Sequence, residues 1–206
     1  MKTAIVALAR LLRGLRRPSK AANARLLRER GEDVSTSFVI REAAAADVPA
    51  LARLHVATWN DTYPGVRSPP TYEIRERQWR EAFGSDDGSW FCFVVARRDG
   101  ELVGFAKGKR YASADRPDYA GELNKIYLLR EYQRLGLGRR LVGHVARRFL
   151  DEGITSMLLF ADAGNPSCRF YEALGAEKLR APDGTVSEAN YGWRDLRRLA
   201  SVCPTG

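Results

Sequence analysis

Gly121-Glu122-Leu123-Asn124-Lys125-Ile126-Tyr127-Leu128-Leu129-Arg130-Glu131-Tyr132-Gln133-Arg134-Leu135-Gly136-Leu137-Gly138-Arg139-Arg140 changes its periodicity halfway along. The first part, Glu122 to Leu129, has the composition of a buried strand. The last part opens a helix that runs to Glu152, in which Leu137, Leu141, Val145 and Phe149 recur every four residues. The turn between them carries two glycines. The first N–H groups of any helix lack an intrahelical acceptor and sit at the positive end of its dipole, so such a turn is a ready anion site. Gly136 and Gly138 remove side chains that would keep a phosphate away. A dinucleotide-binding turn would need a third glycine where Leu141 stands, and a nucleoside-triphosphatase loop would need Lys-Ser or Lys-Thr where Arg139-Arg140 follow Gly138. Two glycines at a helix start, taken alone, also fit a plain structural turn.

Outward from this run, Phe38-Val39-Ile40-Arg41-Glu42 reads as a short strand. Asp47 and Pro49 open a helix through Leu51, Leu54, His55 and Thr58, and a second helix follows the prolines through Tyr72, Ile74, Arg75 and Trp79. Trp90 to Ala96 and Leu102 to Ala106 flank Asp99-Gly100, a strong hairpin signal. Downstream come a strand over 156–161 and a helix over 166–174, with Asn165 as its N-cap, Pro166 at its first position and Gly175 beyond its end. Short strands are expected over 177–179 and 191–196. Hairpin strands leading into a strand–helix–strand crossover give an α/β (α+β) mixed sheet, antiparallel first and locally parallel later.

The 206 residues suit one catalytic-size domain with a modest extension. Of the net charge of +9, residues 1–36 hold nine Lys or Arg against Glu29, Glu32 and Asp33, a net of +6. Residues 2–13 read as a basic amphipathic helix, either a loosely packed arm or a contact for a membrane or partner. The polar stretch 30–37 places a boundary there, giving an extension 1–36, a domain 37–200 and a tail 201–206. Three widely spaced cysteines and two histidines, His55 and His144, support neither a disulfide framework nor a metal site, and a reducing, cytoplasmic setting is expected. No apolar run reaches the length of a membrane span. Residues 1–36 contain no aromatic residue to stack on bases, so no nucleic-acid partner is expected.

Gln133-Arg134-Leu135-Gly136-Leu137-Gly138 resembles the Gln/Arg-x-x-Gly-x-Gly/Ala signature of the GNAT superfamily of acetyl-CoA-dependent N-acetyltransferases. The likeness spans about residues 38–196, including the preceding strand and the segment Asn165 to Ala176. It implies a sheet splayed between its fourth and fifth strands, with the pantetheine arm of acetyl-CoA in the splay. It implies cofactor contacts from Ile126, Tyr127 and Leu128 on the strand, from Gln133, Arg134, Gly136, Gly138 and Arg139 at the turn, and from Asn165. Arg140, Arg147 and Arg148, further along the helix, read as a solvated face. The resemblance also places His55, Trp59, Asp61 and Tyr63 near the acceptor pocket.

Acetylation of an amine needs a base for the amine proton, a donor for the developing oxyanion and an acid for the departing thiolate. By resemblance these are Glu122, the Ile126 N–H and Tyr171. A period of two puts Glu122, Asn124 and Ile126 on one face. Read from the residues alone, Glu122 also fits a structural carboxylate and Tyr171 an aromatic anchor. The expected activity is transfer from acetyl-CoA to a small amine or a peptide or protein amine in a ternary complex, without a metal. The alternative is a non-catalytic acetyl-CoA-binding regulatory module docked through the basic arm. A homodimer is compatible with either.

Overall fold

The computed structural model describes residues 19–205 except 86, 163, 166 and 181–183. The expected helix over 2–13 and the placement of Pro166 therefore lie outside the described residues.

Helix α1, Lys20–Glu29, precedes strand β1, Phe38–Glu42. Helices α2, Val48–Thr62, and α3, Tyr72–Gly84, follow, and then strands β2, Trp90–Arg97, β3, Leu102–Arg110, and β4, Gly121–Leu128. Helix α4, Leu137–Asp151, strand β5, Met157–Phe160, helix α5, Cys168–Ala173, strands β6, Glu177–Arg180, and β7, Val186–Trp193, and helix α6, Leu196–Val202, complete the order. The seven strands form one sheet in the order β1-β2-β3-β4-β5-β7-β6. Only β4 and β5 run parallel among the described pairs; the other neighbours are antiparallel.

Alternation along β2 builds both cores. Phe91 and Val95 face the layer of α4 and α6, where Leu137, Leu141, Val145, Phe149, Leu196 and Leu199 are buried. Cys92, Val94 and Ala96 face α2 and α3 and meet Val48, Leu51, Leu54 and Trp79. The hairpin turn is as read: Gly100 has φ 88° and donates its N–H to the Arg97 carbonyl at 2.9 Å.

Several expectations are corrected. The helix near Asn165 begins at Cys168, and Asn165 does not cap it. Its Oδ1 instead accepts the Ser167 N–H at 2.8 Å and closes a turn before the helix. The final strand ends at Trp193, and Leu196 starts a helix, because Asp195 accepts the Arg197 N–H at 2.9 Å as an N-cap. Arg140, Arg147 and Arg148 are not a solvated face. Arg147 donates to the carbonyls of Cys203 (2.9 Å) and Ala200 (3.0 Å), Arg140 to those of Val34 and Thr205, and Arg148 pairs with Glu152 and Glu42.

The described part of the basic segment packs tightly. Leu27 is buried among Phe38 and Tyr132, and Glu32 pairs with Arg97 at 2.6 Å. Asn23, 6% exposed, donates from one side-chain amide to the carbonyls of Arg130 (2.9 Å) and Gln133 (2.8 Å), clamping the turn between β4 and α4. Replacing Asn23 with Leu leaves both carbonyls without that donor and should cost about 2–4 kcal/mol. A urea midpoint unchanged from wild type would show that the clamp carries no stability.

Candidate active site

The sheet parts at one place. β4 and β5 pair through Gly121↔Met157 and Glu122↔Leu158 alone, while β5 continues along β7 to Phe160↔Asn190. From Leu123 onward β4 has β3 on one side and no strand on the other. The Leu129 N–H donates to the Val103 carbonyl of β3 at 2.9 Å. Main-chain direction alternates along a strand, so Tyr127 also faces β3, and Ile126 and Leu128 turn their polar main-chain groups into the gap.

Opposite Asn124 the β3–β4 register shifts, so that Lys107 pairs with Lys125 but Gly108 with Leu123. This bulge breaks the expected alternation. Glu122 and Asn124 do share a face, and Asn124 Nδ2 donates to Glu122 Oε1 at 2.7 Å. Ile126 instead packs with Leu123 in the α4 core. The extra residue is what sends Lys125 and Tyr127 toward α2 and α3 and leaves Ile126 and Leu128 on the α4 side.

Glu122 is 6% exposed, and its other oxygen meets Lys109 Nζ at 3.0 Å. The carboxylate therefore stands where the gap begins, held from both sides.

At the far end of β4 the chain enters the glycine turn. Arg134 (φ 65°) and Gly136 (φ 91°) both take the left-handed conformation. Gly136 is required by that backbone angle, since a Cβ there would meet nothing within 4 Å. At Gly138 a Cβ would lie 3.4 Å from Leu128 and Phe170, in ordinary contact, so the fold itself tolerates a side chain at this position. The Arg140 N–H returns to the Gly136 carbonyl at 3.1 Å, which leaves the N–H groups of the preceding helical turn without an i−4 acceptor. Gln133 Nε2 donates to the Leu128 carbonyl at 2.9 Å and ties the turn to the end of β4. Arg134 and Arg139 are exposed beside it.

Tyr171 lies on α5, buried and packed against Phe170, Tyr191 and Trp193. Burial, with Cys168 and Tyr127 nearby, pushes its phenol up from the ordinary value, so it stays protonated at neutral pH. Tyr191 Oη donates to Glu172 Oε1 at 2.8 Å, and Trp193 Nε1 to the Leu174 carbonyl at 3.0 Å, and both bonds fix the helix that carries Tyr171. Tyr63 is also raised, chiefly by burial, with Tyr127, Asp162 and Tyr171 acting in the same sense. Tyr63, Tyr127 and Tyr171 thus lie close enough to act on one another electrostatically. The structure leaves Asp61 exposed and puts His55 in the core. Asp162, Lys107, Lys109 and Asn23 escaped the sequence reading. The alternation of Lys107 and Lys109 on one strand face was the available signal for two of them.

Three comparisons bear on this arrangement. A family model described as Acetyltransferase (GNAT) family matches residues 51–176. The chain belongs to that family. This acetyltransferase is 32% identical to an uncharacterized N-acetyltransferase, YuaI, of Bacillus subtilis strain 168, over 79% of this chain and 96% of that protein. It is 28% identical to the phosphinothricin N-acetyltransferase of Streptomyces viridochromogenes, over 76% of this chain and 83% of the relative. Its fold matches that of yncA of Salmonella typhimurium, solved with its cofactor acetyl-CoA, with a TM-score of 0.56 at 19% identity, covering 78% of this chain and 95% of that one. The mixed sheet and the N-acetyltransferase class expected from the sequence are thereby borne out. Among the described residues no helix of the acetyltransferase is long and apolar enough to cross a membrane.

His55 offers a test of this electrostatic environment. Burial, then Arg75 and Lys125, push its imidazole down to about 3. The unfolded chain takes up a proton near pH 6.5 while the folded chain does not until about 3, so stability is full above pH 6.5 and lost as pH falls through that window. In His55→Phe the loss between pH 5.5 and 4 should be shallower by about 1.4 kcal/mol per pH unit. Equal slopes in urea titrations of the two proteins would contradict the assignment.

Proposed function

We propose that the acetyltransferase moves an acetyl group from acetyl-CoA to a small primary amine by direct attack within a ternary complex. The observation that supports this most is the gap between β4 and β5, which opens at Glu122 and leaves Ile126 and Leu128 with main-chain groups unmatched by a strand. An extended pantetheine arm is a chemical match for such an edge, because it carries amide donors and acceptors of its own. The N–H groups of Arg134, Gly136, Gly138 and Arg139 fit a pyrophosphate, with Tyr127 and Asn165 flanking the arm. Gln133 acts indirectly, by holding the Leu128 carbonyl in place. Bound acetyl-CoA supplies an activated thioester.

In this reading the Ile126 N–H receives the charge that develops on the acetyl oxygen. The amine nitrogen bonds to the carbonyl carbon as the carbon–sulfur bond breaks. Glu122 takes the amine proton through water, and Tyr171 gives its phenolic proton to the departing sulfur, so the products are the N-acetylated amine and the free thiol of CoA. The reaction requires no metal and suits a cytoplasmic enzyme.

Free-thiol release from acetyl-CoA across a panel of amines tests the reading. Tyr171→Phe should lower kcat by about 10²-fold, and Glu122→Gln should do the same for kcat/KM below the pKa of the amine. The KM for acetyl-CoA should stay within about twofold in both, since neither side chain is assigned to its binding. Tight binding of acetyl-CoA without thiol release for any amine would reject the transferase reading and favour a binding module. Full activity in Tyr171→Phe would remove the acid from the mechanism.

A further inference from the structure

The segment before β1 meets the glycine turn on both sides of the glycines. Before them, Asn23 Nδ2 donates to the Arg130 carbonyl at 2.9 Å and to the Gln133 carbonyl at 2.8 Å. After them, Arg140 in the first turn of α4 donates from Nη1 to the Val34 carbonyl at 3.3 Å. Between these contacts Leu27 is buried with Phe38 and Tyr132, and Arg30 Nη1 donates to the Tyr132 hydroxyl at 3.0 Å. Asn23, Leu27, Arg30 and Val34 all precede the stretch 51–176 matched by the family model. The turn therefore lies inside that stretch and its support outside it.

The bond to Gln133 has a directional consequence. A trans peptide group is planar, with its carbonyl and its N–H on opposite sides, and no cis bond occurs among the described residues. The Gln133 carbonyl and the Arg134 N–H belong to one such group. When Asn23 draws the carbonyl toward α1, the Arg134 N–H turns away from α1. This arrangement is not the locally relaxed one. Arg134 sits at φ 65°, where a side chain crowds the backbone, while Gln133 is extended with ψ 159°. Turning the peptide over by half a rotation would return Arg134 to negative φ, and would set a carbonyl oxygen where the N–H now stands. Asn23 opposes that rotation. A primary amide has two N–H donors on one nitrogen, and Asn23, itself buried, uses one for each carbonyl.

We propose that Asn23 is a positioning residue for acetyl-CoA: by holding the Gln133 carbonyl it keeps the Arg134 N–H turned to the pyrophosphate, and so makes the segment before β1 part of the cofactor site. This rests on the cofactor reading given above. A hydrogen bond to a charged phosphate oxygen is stronger than a neutral one, and a peptide turned over replaces it with a carbonyl that repels the anion. The effect is confined to the diphosphate end of the cofactor, because Asn23 touches neither the gap nor Glu122 and Tyr171.

The test compares acetyl-CoA with acetyl-pantetheine, which lacks the pyrophosphate, as donors in the thiol-release assay, alongside CoA binding by calorimetry. Asn23→Leu has no donor, and Asn23→Ser has one donor on a stem too short for both carbonyls. Each should weaken CoA binding and raise the KM for acetyl-CoA at least about tenfold, with kcat within about twofold. For acetyl-pantetheine kcat/KM should stay within about twofold. Circular dichroism confirms that each variant is folded, and if Asn23→Leu is not, Asn23→Ser decides alone. Unchanged CoA affinity in a folded variant overturns the proposal. An equal fall with both donors also overturns it, since a clamp that only supports the fold does not distinguish them. Either result leaves the cofactor reading standing as long as the wild-type enzyme binds CoA. Absence of CoA binding to wild type rejects that reading and this inference together.

Discussion

A strand that loses its neighbour partway along must find other partners for its main chain, and this condition governs the region around β4. Peptide groups cannot be withdrawn from water and left unpaired without cost, so a half-open sheet persists only where solvent or a ligand meets the exposed edge. Here the opening starts after Glu122↔Leu158 and ends at Leu128, whose carbonyl is taken by Gln133 at 2.9 Å. The gap thus has a carboxylate at its apex and a helix N-terminus beyond its other end. β5 does not collapse onto it, because β7 pairs with β5 along its full length from Met157 to Phe160.

The turn at the mouth is fixed in advance of any ligand. Arg134 and Gly136 hold left-handed angles that an isolated chain would rarely adopt together, and the surrounding contacts make up the difference. Asn23 binds the carbonyls of Arg130 and Gln133, Gln133 binds Leu128, and Arg30 donates to the Tyr132 hydroxyl at 3.0 Å. Each bond is made on folding, so the ordering of the loop is complete before an anion arrives. This gives the described part of the basic segment a role its charge alone does not indicate: its buried Asn23 and Leu27 side chains, together with Arg30, meet the turn.

What the sequence disclosed follows from how far each signal reaches along the chain. The strand–turn–helix run, the Asp99-Gly100 hairpin and the four-residue repeat from Leu137 to Phe149 are set by near neighbours, and all are present. The bulge at Asn124 arises from the pairing of β4 with β3, and no residue near it announces the shift. The partners of Arg147 belong to the C-terminal segment, those of Arg140 are Val34 and Thr205, and those of Asn23 lie more than 100 residues away. Glu122, Gln133 and Tyr171 could be singled out from a motif. The contact of Lys107 with Trp79 could not, since it depends on α3 packing across the sheet.

The two faces of β4 differ in electrostatic character, and the bulge is what separates them. On the α4 side, charge is carried by helix-terminal N–H groups and by the exposed Arg134 and Arg139, which water screens. On the α2–α3 side burial first, and neighbouring cations second, keep His55 neutral and lower Lys125 to about 8. Because His55 stays neutral well below pH 6.5 and has no partner at Nδ1, it adds nothing to the positive charge of this face. In the proposed reaction a carboxylate tied to Lys109 and Asn124 is held in place to accept the amine proton through water.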